Sequence, residues 1–168
     1  MGALPTRIGL ISDTHGLLRE EALRELRGCD LVVHAGDVGR AEILEALRAI
    51  APVIVVRGNV DTEEWAEALP LSEVVEVNGA RLYVLHNLND LDLNARAAGL
   101  DVVISGHTHR PVQFEKDGVL YINPGSAGPR RFDLPVTVAR LRVGEKPWQV
   151  EIIPCEGNSA KRSTQKGS

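Results

Sequence analysis

The chain is short of most features that announce a specialised protein. Only 2 cysteines, Cys29 and Cys155, occur in 168 residues, and they form no C-x-x-C pair. A disulfide framework and a thiolate metal knuckle are thereby excluded, and a reducing, cytoplasmic setting is expected. No apolar run approaches the length of a membrane span, and no charged-then-apolar leader opens the chain, so no membrane partner is expected. Positive charge is lacking too. With a net charge of −4 and no basic block, the chain has no electrostatic footprint for general nucleic-acid binding, although a local cationic pocket could still take one phosphate. What remains is ordinary for a globular protein, 43% hydrophobic and 25% charged. The length fits one domain, expected over 1–156, and the polar stretch 157–168 reads as a flexible C-terminal tail.

Histidine is scarce, with 5 in the chain, yet two stand together in Ser105-Gly106-His107-Thr108-His109. The apolar run before them reads as a buried strand, which puts an H-x-H at a strand end, a metal-site arrangement. The same strand-then-polar-loop pattern recurs upstream. Arg7 to Ile11 leads into Asp13-Thr14-His15, the run from Asp30 into Gly36-Asp37, and Val53 to Val56 into Gly58-Asn59. Helical periodicity follows over Leu17 to Arg27 and Ala41 to Ala49. Successive strand–loop–helix units imply parallel strands with covering helices, and right-handed crossovers then gather the loops on one edge.

Beyond Asp61 the pattern changes. Glu73 to Val77 and Arg81 to Leu85 alternate around Asn78-Gly79, a hairpin signal, and the second strand runs into His86. Leu88 to Gly99 reads as a short helix. Val112 to Glu115 and Val119 to Asn123 form another hairpin through Asp117-Gly118. Pro135 to Val143 and Trp148 to Ile153 are closing strands, and their paired edge could bring copies of the chain together as a homo-oligomer. The fold class is α/β, with two layers of strands.

Asp13, His15, Asp37, Asn59, His86, His107 and His109 all fall at strand ends. So many imidazoles mixed with carboxylates disfavour an all-oxygen Mg or Ca site. They suit a pair of divalent transition-metal ions bridged by a carboxylate, with Asp37 as the bridge: Mn first, with Fe, Ni, Co or Zn as alternatives. His34, inside a buried strand, reads as a hydrogen-bonded core histidine, and Trp65 as the half-buried anchor of a short helix.

Taken in order, Asp13-Thr14-His15, Gly36-Asp37, Gly58-Asn59, His86 and Gly106-His107-Thr108-His109 resemble the signature of the calcineurin-like metallophosphoesterases. Asn123-Pro124-Gly125-Ser126 is similar to a further segment of their small bacterial and archaeal phosphodiesterase branch. The resemblance implies a four-layer α/β/β/α sandwich of two mixed sheets flanked by helices. It assigns Asp13, His15 and His109 to one metal, Asn59, His86 and His107 to the other, and Asp37 to both, with Asp37, Asn59 and His86 closest to the chemistry. It also implies a small phosphodiester substrate, cleaved by in-line attack of a metal-bridging hydroxide on phosphorus. Arg130, Arg131 and Asp61 are the candidate substrate contacts, the two arginines as phosphate clamps.

This chain departs from the family pattern at two positions. Val60 stands where many members carry a histidine that protonates the leaving group, and Asn87 follows His86 where a glycine is usual. General acid catalysis is typically worth about 10²–10⁴ in rate, so Val60 points to substrates with good, aryl-type leaving groups. Two alternatives share the fold: a phosphomonoesterase or phosphoprotein phosphatase, and a non-catalytic interaction scaffold like the retromer subunit, which also resembles this branch. A scaffold should shed its site imidazoles, and this chain keeps His15, His86, His107 and His109.

Overall fold

The structure is a computed structural model that describes residues 4–155, so the expected domain boundary at 156 and the tail 157–168 lie outside the described residues. In chain order the elements are β1 (Thr6–Ile11), α1 (Glu20–Leu26), β2 (Leu31–His34), α2 (Ala41–Arg48), β3 (Val53–Val55), β4 (Ser72–Val77) and β5 (Ala80–Leu85). They continue as β6 (Val102–Ile104), β7 (Val112–Lys116), β8 (Val119–Asn123), β9 (Thr137–Val143) and β10 (Gln149–Pro154). One sheet has the order β10-β9-β1-β2-β3, the other β4-β5-β6-β8-β7. β1, β2 and β3 are parallel, as are β5, β6 and β8, while β9 and β10 in the first sheet and β4 and β7 in the second run antiparallel to their neighbours. Both sheets are thus mixed, in agreement with the expected fold class.

Alternation along the strands decides the layers. Ile8 and Leu10 face the second sheet and join Val33, Leu82, Val84, Val102, Ile104 and Leu141 in a core between the sheets. Ile11 and Val32 point the other way, onto Ala22, Leu26, Ile43, Leu44 and Leu47 of the two helices. Trp65 packs on the rim of that helix-side core from a single 3-10 turn, Glu64–Ala66. A third cluster, with Leu85, Val103 and Val119 in the sheet, is covered by Ala95 and Leu100. Among the described residues no helix is long and apolar enough to cross a membrane.

Two expected helices differ. Leu88 to Gly99 contains only the 3-10 turn Leu88–Asp90, because its polar side chains compete for the backbone. Asn87 Oδ1 accepts from Asn89 N–H at 3.0 Å and Asn94 Oδ1 from Ala97 N–H at 3.0 Å, each closing a turn in place of a helical bond. The outer layer over the second sheet is therefore a folded loop. The other helix begins at Glu20, three residues later than expected. Gly16 N–H is bound to Val38 O at 2.9 Å and Leu17 N–H to Thr14 O at 2.9 Å, which holds these residues in the loop.

Leu47, with no exposed surface, is the deepest contact of α2 with the sheet. Leu47→Ala is expected to cost about 2–5 kcal/mol in stability, read as a lower urea midpoint at an unchanged m-value.

Candidate metal centre

Parallel strands deliver the loops that carry the expected ligands to one edge of the sandwich. Asp13 and His15 follow β1, Asp37 follows β2, Asn59 follows β3, His86 follows β5, and His107 and His109 follow β6. The loops after β1 and β2 are zipped together by Asp13 N–H to Gly36 O (3.0 Å), His15 N–H to Asp37 O (2.9 Å) and Gly16 N–H to Val38 O (2.9 Å). Within this ladder the backbone is forced into the left-handed region. Asp13, His15, Asp37, His107 and His109 all have φ between 46° and 73°. Such residues cost of order 1–3 kcal/mol each where nothing relieves them, and they concentrate where function requires them.

Close approach needs glycine at two of these corners. A Cβ on Gly58 would strike the backbone and carboxylate of Asp37, and one on Gly106 would strike Ser12 Oγ and Asp13 Oδ2. Buried side chains fix the rest of the frame. His34 has no exposed surface and accepts from Gly36 N–H at Nδ1 (3.1 Å), which leaves its proton on Nε2, 3.0 Å from Thr14 Oγ1. Thr14 in turn donates to Val38 O at 2.8 Å. Burial pushes the His34 imidazolium down to about 3, and His86 nearby adds to the effect, so His34 is a neutral core histidine as expected.

The expected ligands form two groups. Asp13, His15 and His109 make one and Asp37, His86 and His107 the other, each with its donor atoms within 4.8 Å of one another. Asn59 joins the second group, its Oδ1 lying 3.2 Å from His107 Nδ1. His15 Nε2 and His109 Nε2 are 3.3 Å apart, and Asp13 Oδ1 lies 3.5 Å from His109 Nε2. Asp37 Oδ2 faces both groups, 3.6 Å from His15 Nε2 and 3.1 Å from His86 Nε2.

These spacings fit a cation. Bonds of about 2.1 Å to one ion would place cis donors roughly 3.0–3.4 Å apart. The buried side-chain atoms that have no hydrogen-bond partner among the described residues are Asp13 Oδ1, His86 Nε2 and His109 Nδ1, all within the cluster. His86 is also oriented for ligation. Its Nδ1–H donates to Ala35 O at 2.8 Å, which leaves the Nε2 lone pair aimed at Asp37. Asn87 takes ordinary extended backbone, φ −116°, so the missing glycine does not displace His86.

Protonation follows burial. Asp13 is pushed up to about 6, mainly by desolvation and further by Asp37, against the pull of His86, Ser12 Oγ–H and His107 N–H. For Asp37 burial acts upward, but His86, Val60 N–H and His15 outweigh it and hold the carboxyl at about 2. Burial alone would lower His86; Asp37 and Asp13 raise it above the usual imidazole value. His109 is lowered to about 4 and His15 is lowered as well, first by burial, with the Arg131 guanidinium adding to both. At neutral pH, His15 and His109 therefore offer free lone pairs.

The candidate substrate contacts divide. Arg131 is exposed beside His15 and His109, close enough for its charge to bear on both, and Arg130 is exposed next to it. Asp61 takes a different role from the one expected. It is 4% exposed, and its carboxylate accepts from Val38 N–H (3.2 Å), Gly39 N–H (3.0 Å) and Gly58 N–H (2.9 Å). It is a clasp between the loops after β2 and β3, with its oxygens committed to backbone.

Two residues with no assigned role in the sequence reading complete the frame. Asn123 donates from Nδ2 to Gly106 O (2.9 Å) and Thr108 Oγ1 (3.1 Å), fixing the loop that bears His107 and His109. Ser126 Oγ–H donates to Asp13 O at 3.0 Å. Both belong to Asn123-Pro124-Gly125-Ser126, so the motif itself was the signal.

Comparison with known proteins places this geometry in context. Residues 6–146 match the family model of the calcineurin-like phosphoesterase superfamily domain. A probable metallophosphoesterase of Methanocaldococcus jannaschii is 35% identical over 162 residues, covering 89% of this chain and 81% of the relative. The structure of an archaeal phosphodiesterase superposes with a TM-score of 0.72 at 25% identity, covering 88% of this chain and all of the other (100%). Vacuolar protein sorting 29 from Cryptosporidium parvum shares the fold, with a TM-score of 0.73 at 21% identity over 90% of this chain and 98% of its own.

Because Asp13 holds its proton up to about pH 6 without a cation, metal binding must expel that proton. His86, raised above the usual imidazole value, must give up its proton as well. Affinity is therefore expected to fall as pH drops through the His86 range and more steeply below pH 6, by up to about tenfold per pH unit for each group. Calorimetric Mn²⁺ titrations between pH 5 and 7.5 check this, and a flat profile contradicts it.

Proposed function

We propose that this chain, which belongs to the calcineurin-like phosphoesterase superfamily, is a dinuclear metal-dependent phosphodiesterase. The observation that carries the proposal is the position of Asp37, whose Oδ2 lies 3.6 Å from His15 Nε2 and 3.1 Å from His86 Nε2, between the two ligand groups. Asp13, His15, His109 and Asp37 would hold one cation, and Asp37, Asn59, His86 and His107 the other. The mixed N/O set favours Mn, and Fe, Ni, Co or Zn are also suited to it. Bound in pairs, such cations lower the pKa of water toward neutrality and draw charge from phosphoryl oxygens.

The chain's own residues supply placement. Asp37 is fixed by Val60 N–H, which donates to its Oδ1 at 3.0 Å, so only Oδ2 is left to turn between the groups. His86 is held by Ala35 O and offers Nε2 at the same point. Neutral His15 and His109 add donors without adding charge, while Arg131 contributes fixed positive charge at the rim for an anionic substrate. An interaction scaffold would have no use for buried, unpartnered polar atoms at this edge, which weighs against that alternative. Monoester hydrolysis would be the weaker activity of the same centre.

Hydrolysis of bis(p-nitrophenyl) phosphate by the folded protein with added Mn²⁺ is the expected outcome. Failure with each of Mn²⁺, Fe²⁺, Ni²⁺, Co²⁺ and Zn²⁺ would overturn the enzymatic reading. The second test concerns Val60, whose side chain is 43% exposed beside Asn59 and can carry no proton. Val60→His is expected to raise turnover of alkyl diesters relative to aryl diesters, by up to about 10²-fold. An unchanged alkyl-to-aryl ratio would show that Val60 does not set the leaving-group preference.

A further inference from the structure

Eight non-glycine residues with positive φ occur among the described residues. Asn78 and Asp117 shape the two hairpin turns, and Asp13, His15, Asp37, His107 and His109 are the metal-site residues. The remaining one is Phe132, with φ 52° and a side chain that is 92% exposed. A bulky aromatic rarely adopts left-handed backbone, and here no burial of the ring offsets it.

The segment that bears Phe132 is built onto the metal site. Ala127 N–H donates to Ser12 O at 3.0 Å, and Ser126 Oγ–H to Asp13 O at 3.0 Å. At Gly128 the chain passes so close to the carbonyls of Asp13 and Thr14 that a Cβ has no room. Arg19 fixes Gly128 O from Nε (3.3 Å) and Nη2 (3.2 Å). Three residues later comes Arg131, whose charge reaches His15 and His109, and a turn closed by Leu134 N–H to Arg131 O at 3.0 Å presents Phe132. Two other exposed apolar residues sit on ligand loops. Leu17, 39% exposed, follows His15 by two positions, and Val60, 43% exposed, is adjacent to Asn59. Three of the loops around the centre thus carry an apolar side chain to solvent, where an ester with no ring to stack, such as one of glycerol, would need polar partners.

We infer that Phe132, with Leu17 as a further apolar side chain on a ligand loop, forms a subsite for a planar aromatic ring on the ester group that stays attached to phosphorus, next to a phosphoryl oxygen held by Arg131. The substrate class is then a phosphodiester with an aryl or nucleobase-bearing group on its retained side. This inference rests on the phosphodiesterase reading and deepens it.

Three diesters with the same p-nitrophenolate leaving group test it, their retained groups being methyl, phenyl and thymidine-5′-yl, with the full chain loaded with Mn²⁺. The expected kcat/KM for the phenyl and thymidyl esters exceeds that for the methyl ester, with roughly tenfold of the excess lost in Phe132→Ala, the size of one ring stack. The loss should lie mainly in KM, and Phe132→Trp should retain the preference. Comparing variants cancels the intrinsic reactivity of each ester. An aromatic-to-methyl ratio equal in wild type and Phe132→Ala overturns the subsite. A wild-type preference for thymidyl over phenyl, lost in Phe132→Ala, assigns a nucleobase; phenyl at or above thymidyl assigns a simple aryl group. If no diester is turned over, the phosphodiesterase reading falls by itself, and calorimetry with phenylphosphonate and methylphosphonate still decides the subsite. Tighter phenylphosphonate binding that disappears in Phe132→Ala supports it, and equal affinities overturn it.

Discussion

The site depends on a short ladder of backbone hydrogen bonds between the loops that leave β1 and β2. Asp13 N–H, His15 N–H and Gly16 N–H bind the carbonyls of Gly36, Asp37 and Val38, and this pairing continues the parallel sheet past its last regular residue. The ladder brings two carboxylates to one place out of water, an arrangement that is unfavourable by itself. Asp13 is raised to about 6 chiefly by its burial, with Asp37 adding to the effect. The left-handed backbone of five cluster residues is part of the same arrangement, since the loops meet only with the chain turned that way. Bound cations would offset the burial, strain and unpartnered polar atoms that this frame accumulates.

Side chains bonded to the loop backbone hold this frame. Asp61 gathers three backbone N–H groups from two loops, His34 with Thr14 bridges the ladder from beneath, and Asn123 ties down the loop of His107 and His109. Each satisfies backbone groups that would otherwise be buried without partners where regular strand pairing stops. Division of labour between Asp37 and Asp61 follows from their surroundings. The Asp61 oxygens are taken by amides, whereas Asp37 keeps Oδ2 directed at imidazoles of both groups.

Much of this was legible in the residue order. Alternation and buried runs located the strands, and parallel topology then brought Asp13, His15, Asp37 and Asn59 to one edge, while His86, His107 and His109 joined them as strand-end residues of the ordered motifs that resemble the family signature. The role of Asp61 was not legible, because its partners are amides of residues 38 and 39, over twenty positions away, and an acid near metal ligands resembles a substrate contact. Leu88 to Gly99 carried apolar residues at plausible helical intervals, but Asn87 and Asn94 bond the local backbone and end each turn. Phe132 was invisible for the opposite reason. Nothing in Arg130-Arg131-Phe132 indicates that its backbone is left-handed or its ring open to solvent.

The central claim is that one carboxylate, Asp37, organises two cations, and metal stoichiometry tests it most directly. Protein purified without chelator, saturated with Mn²⁺ and freed of excess ion is predicted to retain two ions per chain. Asp37→Ala should retain fewer than one, while its circular dichroism stays that of the wild type. A wild-type protein that saturates at a single ion, or an Asp37→Ala variant that still holds two, would contradict the account.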